Sequence, residues 1–218
     1  MLPFSREQFL DVFASYNAAV WPAQIVAYLI GLALVILLLR RSPASDRIIG
    51  AGLAIVWLWT GVVYHGLFFS SINKAAWLFG ALFVLQGAIF VYVAAIRRAI
   101  QFGYPGGSMA WLGSALVAYA TIMYPLLGLW TGERYPAVPT FGITPCPLTI
   151  FTLGLLLLTV APVPRAVLVI PLVWSLIGGS AAFALGIAQD WLLLVSGVAV
   201  VPLIVIRDRG RARSVAAA

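Results

Sequence analysis

The sequence predicts an all-α integral membrane protein with seven transmembrane helices, an outside N-terminus and an inside C-terminus. Hydrophobic residues make up 63% of its 218 residues and charged residues only 9%, whereas soluble domains are roughly half apolar and a quarter charged. A soluble domain of this length could not cover so much apolar surface, which indicates that the bilayer is the solvent. About 20 apolar residues span the hydrocarbon core as a helix. The predicted spans lie at 18–39, 48–70, 75–96, 109–130, 146–162, 166–187 and 191–206.

Helices are expected because every backbone hydrogen-bonding group inside a bilayer has to be paired within the protein. A closed β-barrel, the other solution, requires alternation of apolar and polar residues. Runs such as Gly154–Leu158 lack that alternation. The pattern therefore favours a helical bundle.

The basic residues predict the orientation, because arginine and lysine concentrate in the cytoplasmic loops of membrane proteins. With the N-terminus outside, the outside basic residues are Arg6, Lys74 and Arg134. The inside ones are Arg40, Arg41, Arg47, Arg97, Arg98, Arg165, Arg207, Arg209, Arg211 and Arg213. The net charge of +7 therefore indicates contact with anionic lipid and not with nucleic acid.

One membrane domain is expected, because the loops are too short to hold a second domain. Its outer loop is predicted at 131–145, and Cys146 is the only cysteine, which excludes an internal disulfide. Ser5 and Gln8 are spaced as a helix-capping pair, which predicts a short amphipathic helix lying on the outer surface. The predicted segments are an outer amphipathic segment at 1–17, the membrane domain at 18–206 and a basic cytoplasmic tail at 207–218.

Spans two and six share a sequence pattern. WTGVVYHGLFFSSI (59–72) aligns with WSLIGGSAAFALGI (174–187), which pairs Trp59 with Trp174. Spans 1–3 and 5–7 would then form a parallel 3+1+3 repeat with span 4 as the linker, as in several transporters. Chance similarity is the alternative interpretation, because aromatic and small residues are common in membrane helices.

Three blocks of the sequence resemble a known family. The blocks LPFSREQFLDVFASYNAAVWPAQ, YHGLFFSSINKAAWLFGALFVLQ and RYPAVPTFGITPCPLTIFTLGLLLL are similar to a bacterial inner-membrane family of unknown function. This resemblance implies a bacterial source and an inner-membrane location, and it implies no substrate, cofactor or catalytic residue. The 3+1+3 layout also resembles the SWEET and PQ-loop transporters, which carry Pro-Gln in spans one and five. This chain instead has Pro22-Ala23-Gln24 and Pro147-Leu148-Thr149 there.

Polar groups inside membrane spans are costly, so they mark candidate sites. His65, the only histidine, lies in the outer third of span two. It is either a protonatable or metal-binding group in a cavity, or an interfacial residue that bonds a neighbouring helix. In the first interpretation Tyr64, Trp59 and Trp174 line the same cavity, which opens to the outer face.

The predicted outer loop provides further candidates for ligand binding. Its prolines exclude a regular helix until about Cys146. The N-terminus of span five then offers free N–H groups and partial positive charge to an anion or carboxylate. Thr144 and Thr149 supply hydroxyl groups there, and Glu133 lies in the preceding loop. A lid that binds no ligand is the alternative.

A metal site would combine Cys146 and His65, with Glu133 and Asp190 as further ligands, since thiolate and imidazole suit zinc or copper. The alternative is that Cys146 packs as a small buried apolar residue. The chain has no Gly-x-Ser-x-Gly motif, no catalytic residue is predicted, and the sequence leaves any cofactor undefined.

These observations favour a protein that binds or transports a small molecule through a cavity open to the outer face. The second hypothesis is a non-catalytic accessory subunit that docks to another membrane protein, or to a second copy, through spans six and seven. A metal-handling protein or a membrane enzyme is the third.

Overall fold

The computed structural model describes residues 2–216, with side chains as far as Arg211. Met1, the Arg213 side chain and residues 217–218 of the predicted tail lie outside the described part. Within it the regular structure is helical, apart from one isolated antiparallel bridge between Phe102 and Thr159, and this confirms the predicted all-α class. The α-helices are α1 (Arg6–Ala19), α2 (Ala23–Leu39), α3 (Ser45–Trp59), α4 (Ala76–Phe90), α5 (Gly107–Ala118), α6 (Tyr124–Trp130), α7 (Pro145–Leu157), α8 (Ala166–Leu185) and α9 (Trp191–Ala216).

Several long helices contain π-helical segments, whose hydrogen bonds span five residues instead of four. Each wider turn rotates the side chains that follow it relative to an uninterrupted α-helix. The π-helical segments are Thr60–Phe68 after α3, Val91–Ile96 after α4, and Tyr119–Met123 between α5 and α6.

Within the described residues, five helical segments are long and apolar enough to cross a membrane. They are Ser45–Ser71, Ala76–Ile96, Gly107–Trp130, Ala166–Leu185 and Ala188–Arg211. A sixth is obtained if α1 and α2, which meet at a bend of 87°, count as one span. The helices thus fit a membrane protein. The remaining predicted span, 146–162, coincides with α7, which ends earlier, at Leu157.

Helix α7 occupies the centre of the bundle. All thirteen of its residues are buried, and it packs against α3, α5, α8 and α9. At about 1.5 Å per residue it is roughly 20 Å long, shorter than the hydrocarbon core of about 30 Å. Close packing on α5 depends on two glycines, because a Cβ added at Gly154 would lie 2.9 Å from the Gly113 carbonyl oxygen. Small residues at such crossings let membrane helices approach closely.

The C-terminal end of α7 is closed by the start of the predicted basic tail. Arg207 donates to the Leu157 carbonyl at 2.9 Å and to the Thr159 hydroxyl at 2.9 Å. A cation at this position satisfies terminal carbonyl groups and the negative end of the helix dipole. Arg207, which the sequence assigned to a lipid anchor, is therefore bound to the protein, with 8% of its side chain exposed.

Helix α1 packs across the opposite end of the bundle, which we call the α1 end. Its N-terminus has the predicted capping box, in which Ser5 and Gln8 bond each other's backbone N–H groups. Its apolar face contacts the bundle, where Phe13 stacks on Tyr64 with ring centroids 5.5 Å apart. The helix therefore covers protein with the face that the sequence assigned to the membrane surface.

Asn17, which is buried, is one of the side chains that hold the 131–144 loop at the α1 end. The Asn17 amide donates to the carbonyls of Pro136 and Val138, each at 2.7 Å. Its oxygen lies 3.2 Å from the Thr140 hydroxyl and 3.3 Å from the Gln24 amide, both of which donate to it. Because buried carbonyl groups need partners, Asn17 allows this proline-containing loop to fold back onto the bundle.

Candidate functional site

A cavity of about 300 Å³ lies at the α1 end, bounded by α1, the π-helical segment after α3, α4, α8 and the first turn of α7. Its described lining is mainly apolar. The aromatic side chains of the lining are Phe4, Phe9, Phe13, Tyr64, Phe69, Phe79 and Trp174. Small residues of α8, from Gly178 to Ala184, form part of the opposite wall. Such a concave, mainly apolar space with few polar groups is typical of small-molecule sites.

Besides the side chains of Tyr64, Asn73 and Ser180, the polar groups of the described lining come from the starts of α7 and α9 and from α8. Thr144 and Cys146 lie at the start of α7, Trp174 lies on α8, and Asp190 ends the turn before α9. Trp174 is 6% exposed, and its indole N–H has no nitrogen or oxygen acceptor. The Cys146 sulfur, a weak acceptor, lies beside it. A buried donor in a side chain that lines the cavity thus has only a weak sulfur acceptor beside it.

Asp190 belongs to a buried polar network that extends away from the cavity. Its carboxylate accepts a short hydrogen bond from the Tyr124 hydroxyl. The neighbouring Gln189 donates from its amide to Glu133 at 2.6 Å and accepts from the Tyr119 hydroxyl at its backbone carbonyl, at 2.7 Å. The side-chain oxygen of Gln189 has no partner. These contacts fix the turn before α9 and the position of the Asp190 carboxyl group.

Glu133 forms the outer part of the same network. It is 6% exposed and pairs with Arg6 of α1 at 3.3 Å. Burial raises the pKa of Glu133 above its usual value, although the Gln189 hydrogen bond and the Arg6 charge act in the opposite direction. Glu133 also lines a second cavity of about 220 Å³, between the 131–144 loop and α6, and does not line the first.

Five of the sequence-predicted residues line the first cavity together: Tyr64, Trp174, Thr144, Cys146 and Asp190. The structure does not bring Trp59 or Thr149 to it. Trp59 donates its indole N–H to the Tyr16 hydroxyl at 2.8 Å, and the Thr149 hydroxyl bonds the Pro145 carbonyl of its own helix at 2.8 Å.

His65 lies behind the cavity wall among aromatic rings. Its ring centroid is 4.8 Å from that of Phe83 and 5.0 Å from that of Trp174, and neither ring nitrogen has a hydrogen-bond partner. It therefore lacks the interhelical hydrogen bond that the packing interpretation expected. Among the described residues no group of three or more histidine, cysteine, aspartate or glutamate side chains could hold a metal ion.

The predicted anion site at the start of α7 has an acidic neighbour. The Asp190 carboxyl group lies beside the Cys146 thiol in the first turn of that helix. A carboxyl group of the protein, and not a free anion, thus faces the positive end of the α7 dipole.

Sequence reasoning considered Asp190 only as a metal ligand and placed the α1 aromatics at the membrane surface. The spacing of Phe9, Phe13 and Tyr16 on one helical face was a usable signal for burial. That spacing did not reveal that the helical bundle covers this face, because the contact depends on the 87° bend between α1 and α2. Asp190 gave a weaker signal, since a single acid at a helix start is most often solvated.

The described residues define a class: a helical bundle of membrane-compatible apolar helices with a mainly apolar cavity at one end. Within that class, the chain belongs to the family of unknown function DUF6064, whose model matches residues 6–215. No curated protein and no solved structure matches the chain.

Proposed function

We propose that this protein binds a small, mainly apolar molecule in the cavity at the α1 end. The observation that carries the proposal is the indole N–H of Trp174, a side chain of the wall of a mainly apolar cavity, which is buried without an oxygen or nitrogen acceptor. Leaving a buried donor unsatisfied costs about 1–3 kcal/mol. A ligand with an acceptor at this point would remove that cost while its body fills the aromatic space.

The surroundings of the cavity favour binding that is coupled to movement, as in a transporter. Tyr64 and Phe69 of the lining lie within and directly after the π-helical segment Thr60–Phe68. Wide helical turns of this kind occur frequently at functional sites. Phe9 and Phe13 of α1, and Phe4 just before it, line the cavity. Because α1 reaches the cavity from outside the bundle, displacement of α1 would open the site.

We also propose that the chain crosses the membrane seven times, with α7 as the fifth crossing. The chain reaches α7 from the 131–144 loop, which bonds Asn17 at the α1 end. It leaves α7 through Leu158 and Val160, which bond Gly103 and Gln101 at the other end. Non-helical backbone thus completes the crossing on both sides of a short helix, which is tolerated where protein surrounds it.

In this arrangement the α1 end faces outward and the membrane is the bacterial inner membrane. The support is the number of basic residues, ten at the opposite end against three at the α1 end, together with the cytoplasmic preference of arginine. The parallel repeat of spans 1–3 and 5–7 remains part of this proposal and rests on the Trp59 and Trp174 alignment.

Thermal unfolding of the detergent-purified protein tests the binding proposal. The panel consists of arylalkyl alcohols, amines and carboxylic acids of increasing chain length. A ligand at about 100 times its dissociation constant should add about 2.7 kcal/mol of stability. Trp174→Phe removes the N–H and keeps a ring, so it should reduce the shift.

The matched control is Trp111→Phe, which makes the same change at a side chain that is 71% exposed on α5. It should leave the shift unchanged. If no member of the panel stabilises the protein, or if both variants reduce the shift equally, the cavity is not the binding site.

A further inference from the structure

We infer that the ligand of this cavity is an organic cation, an amine whose apolar body carries an acceptor oxygen for the Trp174 N–H, and that Asp190 is its counter-ion. The inference rests on the proposed binding function and adds the chemical class of the ligand. The structural basis is one carboxyl group placed at the wall of an aromatic cavity that has no basic group in its described lining.

The charge of the lining comes from one residue. Asp190 is the only ionisable acid among the described lining residues, which include no lysine, arginine or histidine. The nearest cation in the adjoining network, Arg6, is paired with Glu133 at 3.3 Å. An anion in the cavity would therefore have to share the positive end of the α7 dipole with the Asp190 carboxyl group, and burying a charge that is not fully paired is costly.

The aromatic rings favour a cation over a neutral molecule. Seven aromatic side chains line the cavity, and several pack edge to face or stacked, such as Phe4 on Phe69 at 5.4 Å and Phe13 on Tyr64 at 5.5 Å. Ring faces carry partial negative charge and attract ammonium groups, more strongly when the pair is desolvated than when it is exposed. Trp174, the strongest ring type for this contact, lies in the same wall as Cys146.

The Asp190 carboxyl group is held in position before any ligand binds. Tyr124 donates to one carboxylate oxygen, and the backbone N–H of Asp190 bonds the Ile187 carbonyl at 3.1 Å. A fixed acceptor loses little conformational freedom when it pairs with an ammonium group, which favours affinity. The pair would be buried, since Asp190 is 2% exposed, and removing either partner of a buried pair is strongly unfavourable.

Three probes that share one apolar body and one ether oxygen as acceptor test the inference: 4-phenoxybutylamine, 4-phenoxybutanol and 4-phenoxybutanoate. Their affinities are measured by titration calorimetry on the purified full-length protein at pH 7, with empty detergent micelles as the blank. We expect the amine to bind about tenfold or more tightly than the alcohol, and the carboxylate to bind most weakly.

Asp190→Asn should remove most of the preference for the amine over the alcohol while the alcohol still binds. Asp11→Asn is the matched control, because it makes the same charge change on the exposed side of α1 and should keep the preference. The wild-type series remains decisive if Asp190→Asn does not fold.

The outcomes separate this inference from the binding proposal. If the alcohol binds as tightly as the amine, or the carboxylate binds best, the cavity binds small molecules but the cation assignment is wrong. The assignment is equally wrong if Asp190→Asn keeps the full preference. If none of the three probes binds, the cation assignment and the binding proposal both fail.

Discussion

The indole N–H of Trp59, at the end of α3, donates to the hydroxyl group of Tyr16 on α1 at 2.8 Å. Tyr16 in turn donates to the Ile143 carbonyl at 2.7 Å. The two hydrogen bonds join α3, α1 and the 131–144 loop in series, so a side chain that the sequence assigned to ligand binding fastens the elements around the cavity instead.

Trp59→Phe should therefore weaken the attachment of α1 without changing the cavity lining. Loss of one hydrogen bond of this kind costs about 0.5–1.5 kcal/mol, which reversible unfolding in detergent would measure. Tyr16→Phe removes the bond to Ile143 as well and should cost more. If Trp59→Phe is as stable as the wild type, the bond contributes nothing to the fold.

Asn17→Leu should release the 131–144 loop. The carbonyls of Pro136 and Val138, which are only partly buried, lose their donor, and each loss costs at most about 1–3 kcal/mol. Faster proteolysis within the loop and a lower unfolding temperature are expected. Asn73→Leu is the control, because the Asn73 side chain makes only an exposed local bond to the Ala75 N–H; equal proteolysis of both variants would contradict the role of Asn17.

Glu133 should make stability depend on pH. Since burial raises its folded-state pKa above the ordinary value of 4.5, its contribution to stability is complete below that value and decreases as pH rises through the folded-state pKa. The unfolding temperature of the wild type should thus fall more steeply above about pH 4 than that of Glu133→Gln. Parallel pH curves for the two proteins would show that Glu133 does not cause the dependence.

Gly154→Ala should disrupt the packing of α7 on α5. The added Cβ would lie 2.9 Å from the backbone oxygen of Gly113, and a backbone atom cannot move aside as a flexible side chain does. Overpacking of this kind costs about 1–3 kcal/mol, measurable as a loss of unfolding free energy. Gly210→Ala is the control, because no atom lies within 4 Å of its added Cβ, and it should be neutral or slightly stabilising. Similar losses of unfolding free energy in both variants would exclude the contact between α7 and α5 as the cause.

Hydropathy predicted most of the helices because a long apolar run in a bilayer has few alternatives to a helix. The predicted span at 75–96 differs by one residue at its start from the helical segment Ala76–Ile96. The same reasoning extended the fifth span to 162, five residues beyond its end at Leu157. The segment that follows is apolar but pairs with residues 101–103, a contact between distant parts of the chain that no local pattern reveals.

The sequence predicted only part of the candidate site, because here too the outcome depends on contacts between distant parts of the chain. Trp59 and Trp174 occupy equivalent positions in the sequence alignment, yet Trp59 is 36% exposed and Trp174 only 6%. The direction in which each side chain points depends on how its helix is rotated against its neighbours. That rotation follows from tertiary packing, such as the contact of Trp174 with Phe83 at 5.1 Å, and the hydropathy of either helix does not encode it.

The enclosed position of α7 has a consequence for biosynthesis. A thirteen-residue apolar helix is shorter than the roughly 17–25 residues of a self-sufficient span, and two of its neighbours, α8 and α9, follow it in the chain. During synthesis α7 therefore leaves the ribosome after α3 and α5 but before α8 and α9. Its insertion should be completed only when Arg207, fifty residues later, reaches the Leu157 carbonyl, so a chain truncated before α9 should leave α7 incompletely integrated.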